Sequence, residues 1–396
     1  MALSPIMESI RVLPPGGPLG WVVGATFLHF VSLYYLFSTL PLYVLDVGGS
    51  TFQAGLIMGI FSLASLSTRP FFGAWMDRAG RRRFLLIGAG IYTIASLGYL
   101  VIPSVPGLLL WRAFHAMGLS TFSTAAASVA GDLAPSRRRG TTMGIYGLAQ
   151  AGALSVGPGL GAAIHRALGY TGLFLATAFT ALAALLCAMP IPETTRRAAA
   201  RPSGERGANR QASLHQVGPS AATQFAASIA YGTIISFIAV VARDRGLDVV
   251  GAYFALLALS SLGIRLVAGR AYDALGPAAV LIPAFLALST GMTLLALTTR
   301  PAVFLAAAVL AGAGIGSTHT TLLARVVDGA PLDRRGSAVA VFTSCWELGV
   351  GGGTILMGRL AETAGFQGMY LAAAALPLIG LVGLRWLCRE PRVGSR

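Results

Sequence analysis

Apolar residues come in runs of spanning length near 20–45, 51–72, 84–103, 106–130, 141–163 and 171–190, and again near 217–242, 250–269, 278–298, 302–326, 337–358 and 367–384. A helix that crosses a bilayer needs about 20 such residues, so the pattern predicts an all-α membrane protein of twelve transmembrane helices, split six and six. Between the two sets lies a polar, arginine-rich stretch, Glu193 to Gln211, with Pro202-Ser203-Gly204, which has the composition of a linker. The pattern therefore divides the chain into a six-helix bundle over 1–190, a cytoplasmic linker over 191–215 and a second six-helix bundle over 216–396. The first run is too long for a signal-peptide core and is read as a retained span.

Composition strengthens this reading. Of 396 residues 55% are hydrophobic and 11% charged, with mean hydropathy +0.73, against about 25% charged in a soluble domain. The net charge of +15 would suggest nucleic acid in a soluble chain. Here most arginines fall in loops on one side, so the charge reports orientation, with both termini cytoplasmic, and no nucleic-acid partner. Cys187, Cys345 and Cys388 have neither metal-ligand nor disulfide spacing. No His-Glu-x-x-His or Gly-x-Ser-x-Gly string occurs, and a chain without lysine cannot carry a Walker A loop, so an enzyme or ATP-driven pump is not expected.

The two sets of spans are related. At an offset of 196 residues, Arg69, Gly73, Asp77 and Gly80 fall on Arg265, Gly269, Asp273 and Gly276. Gly118, Asp132, Pro135, Arg138, Gly169 and Gly172 fall on Gly314, Asp328, Pro331, Arg334, Gly365 and Gly368. A parallel repeat of two six-helix units is a transporter architecture.

One string carries a family resemblance. Gly73-Ala-Trp-Met-Asp77-Arg78-Ala-Gly80-Arg81-Arg82-Arg83 stands between the second and third spans. It resembles the Gly-x-x-x-Asp-Arg-x-Gly-Arg-Arg loop of the major facilitator superfamily, and the repeat extends the resemblance over nearly the whole chain. The drug- and sugar-efflux proton antiporters of bacteria carry this loop. What the resemblance implies is a multi-pass protein of the bacterial inner (cytoplasmic) membrane, acting as a monomer. It would move a small molecule by alternating access, with a proton gradient as energy source and no cofactor. It also implies that Gly73, Asp77, Arg78, Gly80, Arg81, Asp132 and Arg138 form a cytoplasmic latch between the halves. The second copy has Pro277 at the Arg81 position, so the latch is expected to be lopsided.

Further resemblances lie in the spans. Gly144 and Gly152-Ala-Leu-Ser-Val-Gly157-Pro158-Gly-Leu-Gly161 resemble the glycine-rich hinge of drug/proton antiporters, with alanine at two expected glycines (Ala153, Ala162). Arg112-Ala-Phe-His115-Ala-Met-Gly118 resembles the family's Arg-x-x-Gln-Gly-x-Gly string, whose arginine the resemblance links to proton transfer. Glu347 is the one carboxylate deep within a span; Thr343, Ser344, Val350 and Gly351 neighbour it at helical spacing, as a cavity wall would require. Glu347, Arg112, His115 and His29 are therefore the expected proton-coupling groups. In the family's fold the first, fourth, seventh and tenth spans line the cavity, which makes Tyr35, Gln224, Ser228, Tyr231 and His319 candidate lining residues; Gln150, on the fifth span, is a further cavity candidate. Partners are then a small-molecule substrate, protons and the lipid bilayer. The leading expectation is proton-coupled efflux of a small amphiphilic compound; the alternative is a proton symporter or facilitator importing a metabolite.

Overall fold

The computed structural model describes residues 17–135, 139–194, 208–330 and 335–387. Among these the chain is helical throughout: α1 Pro18–Asp46, α2 Thr51–Ala79, α3 Arg81–Gly98, α4 Val105–Leu133, α5 Arg139–Ala188, α6 Ala208–Asp244, α7 Val250–Leu275, α8 Pro277–Leu297, α9 Pro301–Gly329 and α10 Arg335–Leu387. Two runs are each broken by a glycine in the left-handed region, α5 at Gly169 (φ 65°) and α10 at Gly365 (φ 69°). The expected fifth and sixth spans are thus the two arms of α5, and the expected eleventh and twelfth the two arms of α10. Eight of the ten are long and apolar enough to cross a membrane among the described residues. The two that fall short are α3, which opens on three arginines, and α4, which carries Arg112 and His115. Large apolar side chains such as Leu110, Phe179, Leu259 and Ile379 stand exposed, which a bilayer explains and water does not.

The chain folds into two compact units. The first takes Met1–Thr39 and Ala64–Ala199, the second Leu40–Leu63 and Ala200–Arg396. The end of α1 and the first half of α2 thus group with the second unit. Of the expected linker, Ile191 is wholly buried in the first unit's core, and Ala208 onward is helical; the intervening 195–207 lie outside the described residues.

The repeat is visible in three dimensions. In the first unit Ala25, Leu85, Ala89, Ala126, Ala130 and Tyr146 share one core cluster. Their mates at the same offset, Ala221, Leu281, Phe285, Leu322, Val326 and Phe342, share the corresponding cluster of the second. Both units turn from one helix to the next on the same glycine. Gly80 (φ 104°) and Gly276 (φ 85°) each bond through their N–H to the carbonyl four residues back, on Met76 and Tyr272. A side chain at those angles would be strained, so the spacing of the two glycines fixes where the chain reverses.

Candidate functional site

In the first unit two glycines create the polar centre. A Cβ at Gly88 would run into the Phe122 backbone nitrogen, and one at Gly118 would stand 2.7 Å from that of Tyr92. Hydrogen at these positions lets α3 and α4 touch along their backbones, which small residues permit in lipid. Tyr92 of α3 and Tyr99 at its C-terminal cap then reach the face of α4 bearing Arg112 and His115, one turn apart. The Arg112 guanidinium donates to the Tyr99 hydroxyl at 3.3 Å and lies 3.3 Å from His115 Nδ1, and that hydroxyl is 3.1 Å from the same nitrogen. Because a guanidinium only donates, Nδ1 accepts, and His115 is fixed as the neutral Nε2–H tautomer. Arg112 and His115 are both wholly buried.

His29 of α1 completes this centre from one side. Its ring stacks on Phe122 with centroids 3.9 Å apart and lies 4.2 Å from Tyr92, whose other neighbour is the His115 ring at 3.9 Å. Tyr92 is therefore held between two imidazoles. Neither nitrogen of His29 has a hydrogen-bond partner among the described residues, which costs roughly 1–3 kcal/mol per buried polar group. The sequence places His29 and His115 on a cavity wall; in this structure both are sealed in aromatic packing.

Tyr35, Gln224 and Ser228 are likewise buried rather than lining an open surface. Tyr35 presents its backbone to α5, where a Cβ at Gly161 would come 2.5 Å from its carbonyl oxygen, and Gly157 abuts Tyr34 in the same way. The Ser38 hydroxyl donates to the Pro158 carbonyl at 3.0 Å. The glycine-rich stretch of α5 is thus seated against α1, while Gly144 is open. Gln150 is half-buried, and Tyr146, one turn before it, donates to the Ser123 carbonyl at 3.4 Å.

The loop constellation forms within the first unit. Arg81 pairs with Asp132 and donates to the Ser128 carbonyl at 3.2 Å. The backbone N–H groups of Arg81 and Arg82 bond to the two carboxylate oxygens of Glu193, at 2.9 and 3.2 Å. Arg82 reaches the carbonyls of Ile191 and Met189, both at 2.8 Å, and the Thr194 hydroxyl donates to Asp132. Glu193 therefore caps the free N–H groups that open α3, where the helix dipole favours a negative charge. Sequence reasoning left Glu193 in the linker; its only signal was an acid just beyond the sixth span. The expected latch between halves is thus, for Arg81 and Asp132, a clasp from α3 to α4 inside one unit. A Cβ at Gly73 would meet nothing within 4 Å, and Arg78 is exposed. The side chain of Asp77 and all of Arg138 lie outside the described residues. In the second unit, with Pro277 in place of Arg81, the Tyr272 hydroxyl bonds to Asp328 at 3.0 Å.

Glu193→Gln keeps the shape and removes the charge from the α3 cap, so it should lower the melting temperature by the equivalent of about 1 kcal/mol. Asp132→Asn should cost less, because the ion pair is partly exposed, and its effect should fade in high salt. Thermal unfolding in detergent at two salt concentrations measures both; equal losses insensitive to salt would contradict this account.

In the second unit the rings of Tyr231 (α6) and His319 (α9) lie 5.2 and 5.1 Å from that of Trp346 (α10). Arg265 of α7 acts electrostatically on both Tyr231 and His319. Glu347 follows Trp346 on a different face of α10, and one carboxylate oxygen is buried. Gly351, one turn on, packs against Ser62 of α2, where an added Cβ would lie 2.9 Å from that of Ser62. Trp346 and Arg265 were not singled out as site residues from sequence, since a Trp in an apolar helix carries no signal until its neighbours are known.

Comparison with known proteins agrees with this architecture. The profile of the Major Facilitator Superfamily matches residues 22–350 and again 220–396, and the chain belongs to that family. It is a multi-pass membrane transporter. The protein "Uncharacterized MFS-type transporter YhhS" of Escherichia coli strain K12 is 29% identical over 380 residues, covering 93% of this chain and 92% of that one. The protein "Uncharacterized MFS-type transporter MJ1560" of Methanocaldococcus jannaschii is 26% identical over 375 residues, covering 91% of this chain and 94% of that one. The crystal structure of a mutant of the nucleoside transporter NupG superposes with TM-score 0.78 over 93% of this chain and 99% of that one, at 12% identity, a likeness of fold.

Proposed function

We propose that this transporter is a proton-coupled exporter of a small amphiphilic compound. The observation that carries the reading is the buried Arg112–Tyr99–His115 network, with His29 beside it. A guanidinium within a span costs roughly 2.5–3.5 kcal/mol on insertion scales, and intramembrane ionisable groups of this kind are characteristic of proton relays. Glu347 supplies a second protonatable group at mid-span. The close seating of Gly157, Pro158 and Gly161 on α1 supports the antiporter resemblance and hence the outward direction. In this reading a proton taken up at Glu347 or His115 is exchanged against the substrate by alternating access, in a monomer of the bacterial cytoplasmic membrane.

The test uses liposomes containing the protein and a pH-sensitive dye, challenged with gradients of lipophilic cations, sugars and metabolites. Proton movement driven by one class of compound, opposite in direction to its flux and lost in Glu347→Gln, is the expected result. Flux without proton movement, unchanged in that variant, identifies a facilitator. Flux and protons moving together identify a symporter.

A further inference from the structure

The repeat exposes a difference between the units that points to the kind of molecule carried, and the inference rests on the transporter reading. Arg69 and Arg265 hold equivalent places. Around Arg69 the equivalent helices present Tyr146 and Gln150, two polar residues one turn apart. At the same two positions the second unit has Phe342 and Trp346, and it adds His319 where the first has Ser123. A polar environment has thus become an aromatic one while the arginine stays. His319 lies 5.5 Å from the Phe342 ring and 5.1 Å from that of Trp346, and Tyr231 meets Trp346 from the other side at 5.2 Å. His319 Nδ1 is buried with no hydrogen-bond partner among the described residues.

Arg265 stands ten residues before the end of α7 at Leu275, about 15 Å inside it at 1.5 Å per residue. Its charge is felt at Tyr231 and His319, from α6 and α9. Among the described residues it forms no ion pair and no hydrogen bond, and it is exposed. An unpaired guanidinium at this depth calls for an anionic partner, and its planar fork matches a carboxylate or phosphate. The half-buried faces of Trp346, Tyr231 and His319 offer flat apolar surface beside it. Glu347, next to Trp346 in the sequence, shares its helix face with Gly351, which packs on Ser62.

We infer that Arg265, Tyr231, His319 and Trp346 form a recognition subsite in the second unit for a small organic anion with a planar, aromatic body.

The probes are 2-naphthoate and its cationic counterpart 2-naphthylmethylammonium, titrated calorimetrically into the full chain in phosphatidylcholine nanodiscs with no proton gradient. Saturable binding of naphthoate, at least tenfold tighter than the ammonium, is expected. Arg265→Gln should remove that preference, Arg265→Lys should retain part of it, and Trp346→Ala should weaken naphthoate several-fold, each at an unchanged melting temperature. Absence of saturable binding, equal binding of the two probes, or a preference that survives in folded Arg265→Gln would overturn the inference. If Arg265→Gln fails to fold, Arg265→Lys and Trp346→Ala decide: wild-type affinity in both overturns it. Loss of naphthoate binding when phosphatidylglycerol is added assigns the guanidinium to a lipid headgroup and overturns it too. Because no proton moves in this experiment, its failure leaves the coupling proposal standing, and a failure of coupling in liposomes leaves the anion subsite standing.

Discussion

Gly161→Val is expected to abolish the folded protein, whereas Gly144→Ala, 17 residues earlier in the same helix, should leave its melting temperature unchanged. A Cβ at Gly161 would stand 2.5 Å from the Tyr35 carbonyl oxygen and 2.7 Å from its Cα, both backbone atoms of α1 that cannot rotate aside. The only relief is to push α1 and α5 apart. That would strain the contact of Gly157 on Tyr34 and the Ser38 bond to the Pro158 carbonyl in one movement. Overpacking by a few carbons costs typically about 1–3 kcal/mol, and here the three carbons of the valine side chain add to lost packing along the whole crossing. A Cβ at Gly144 meets nothing within 4 Å. Yield and melting temperature of the two variants in detergent check this: a well-folded Gly161→Val would show that α1 and α5 are not held at this distance.

The contrast also shows what could be read from the chain and what could not. Glycine spacing marks helices that approach closely, but Gly144 and Gly161 belong to one motif and only the packing against α1 tells the seated glycine from the open one. The same limit applies to the histidines. Helical periodicity puts His29 and His115 on faces that the family's fold turns toward a cavity, yet it cannot say whether the neighbour on that face is water or an aromatic ring. For His29 the neighbours are Phe122 and Tyr92. What the sequence resolved well were features with a strict backbone requirement. Gly80 and Gly276, and Gly169 and Gly365, recur at one offset because the chain takes the same positive φ in both units. Glu193 escaped notice because a cap is a relation between distant segments: its carboxylate serves α3 from more than a hundred residues away. Trp346 gains meaning only beside Tyr231, His319 and Arg265, which come from three other helices.

Arg112→Leu should separate stability from function. The guanidinium is wholly buried between α3 and α4, and its removal relieves the insertion cost of about 2.5–3.5 kcal/mol. Leucine fills much of the stem's volume, and the Tyr99 hydroxyl and His115 Nδ1 retain each other at 3.1 Å. The protein should therefore fold with a melting temperature equal to or above that of the wild type. Proton movement coupled to substrate flux in liposomes should fall at least tenfold. The reason is that His115 would then hold its proton without the fixed charge that sets its tautomer, so the group loses the feature that distinguishes its two protonation states. Arg112→Lys, which keeps the charge but not the planar fork, should fall between the two. A destabilised Arg112→Leu that, once folded, still couples protons to substrate would assign the arginine to structure and leave Glu347 as the sole coupling group.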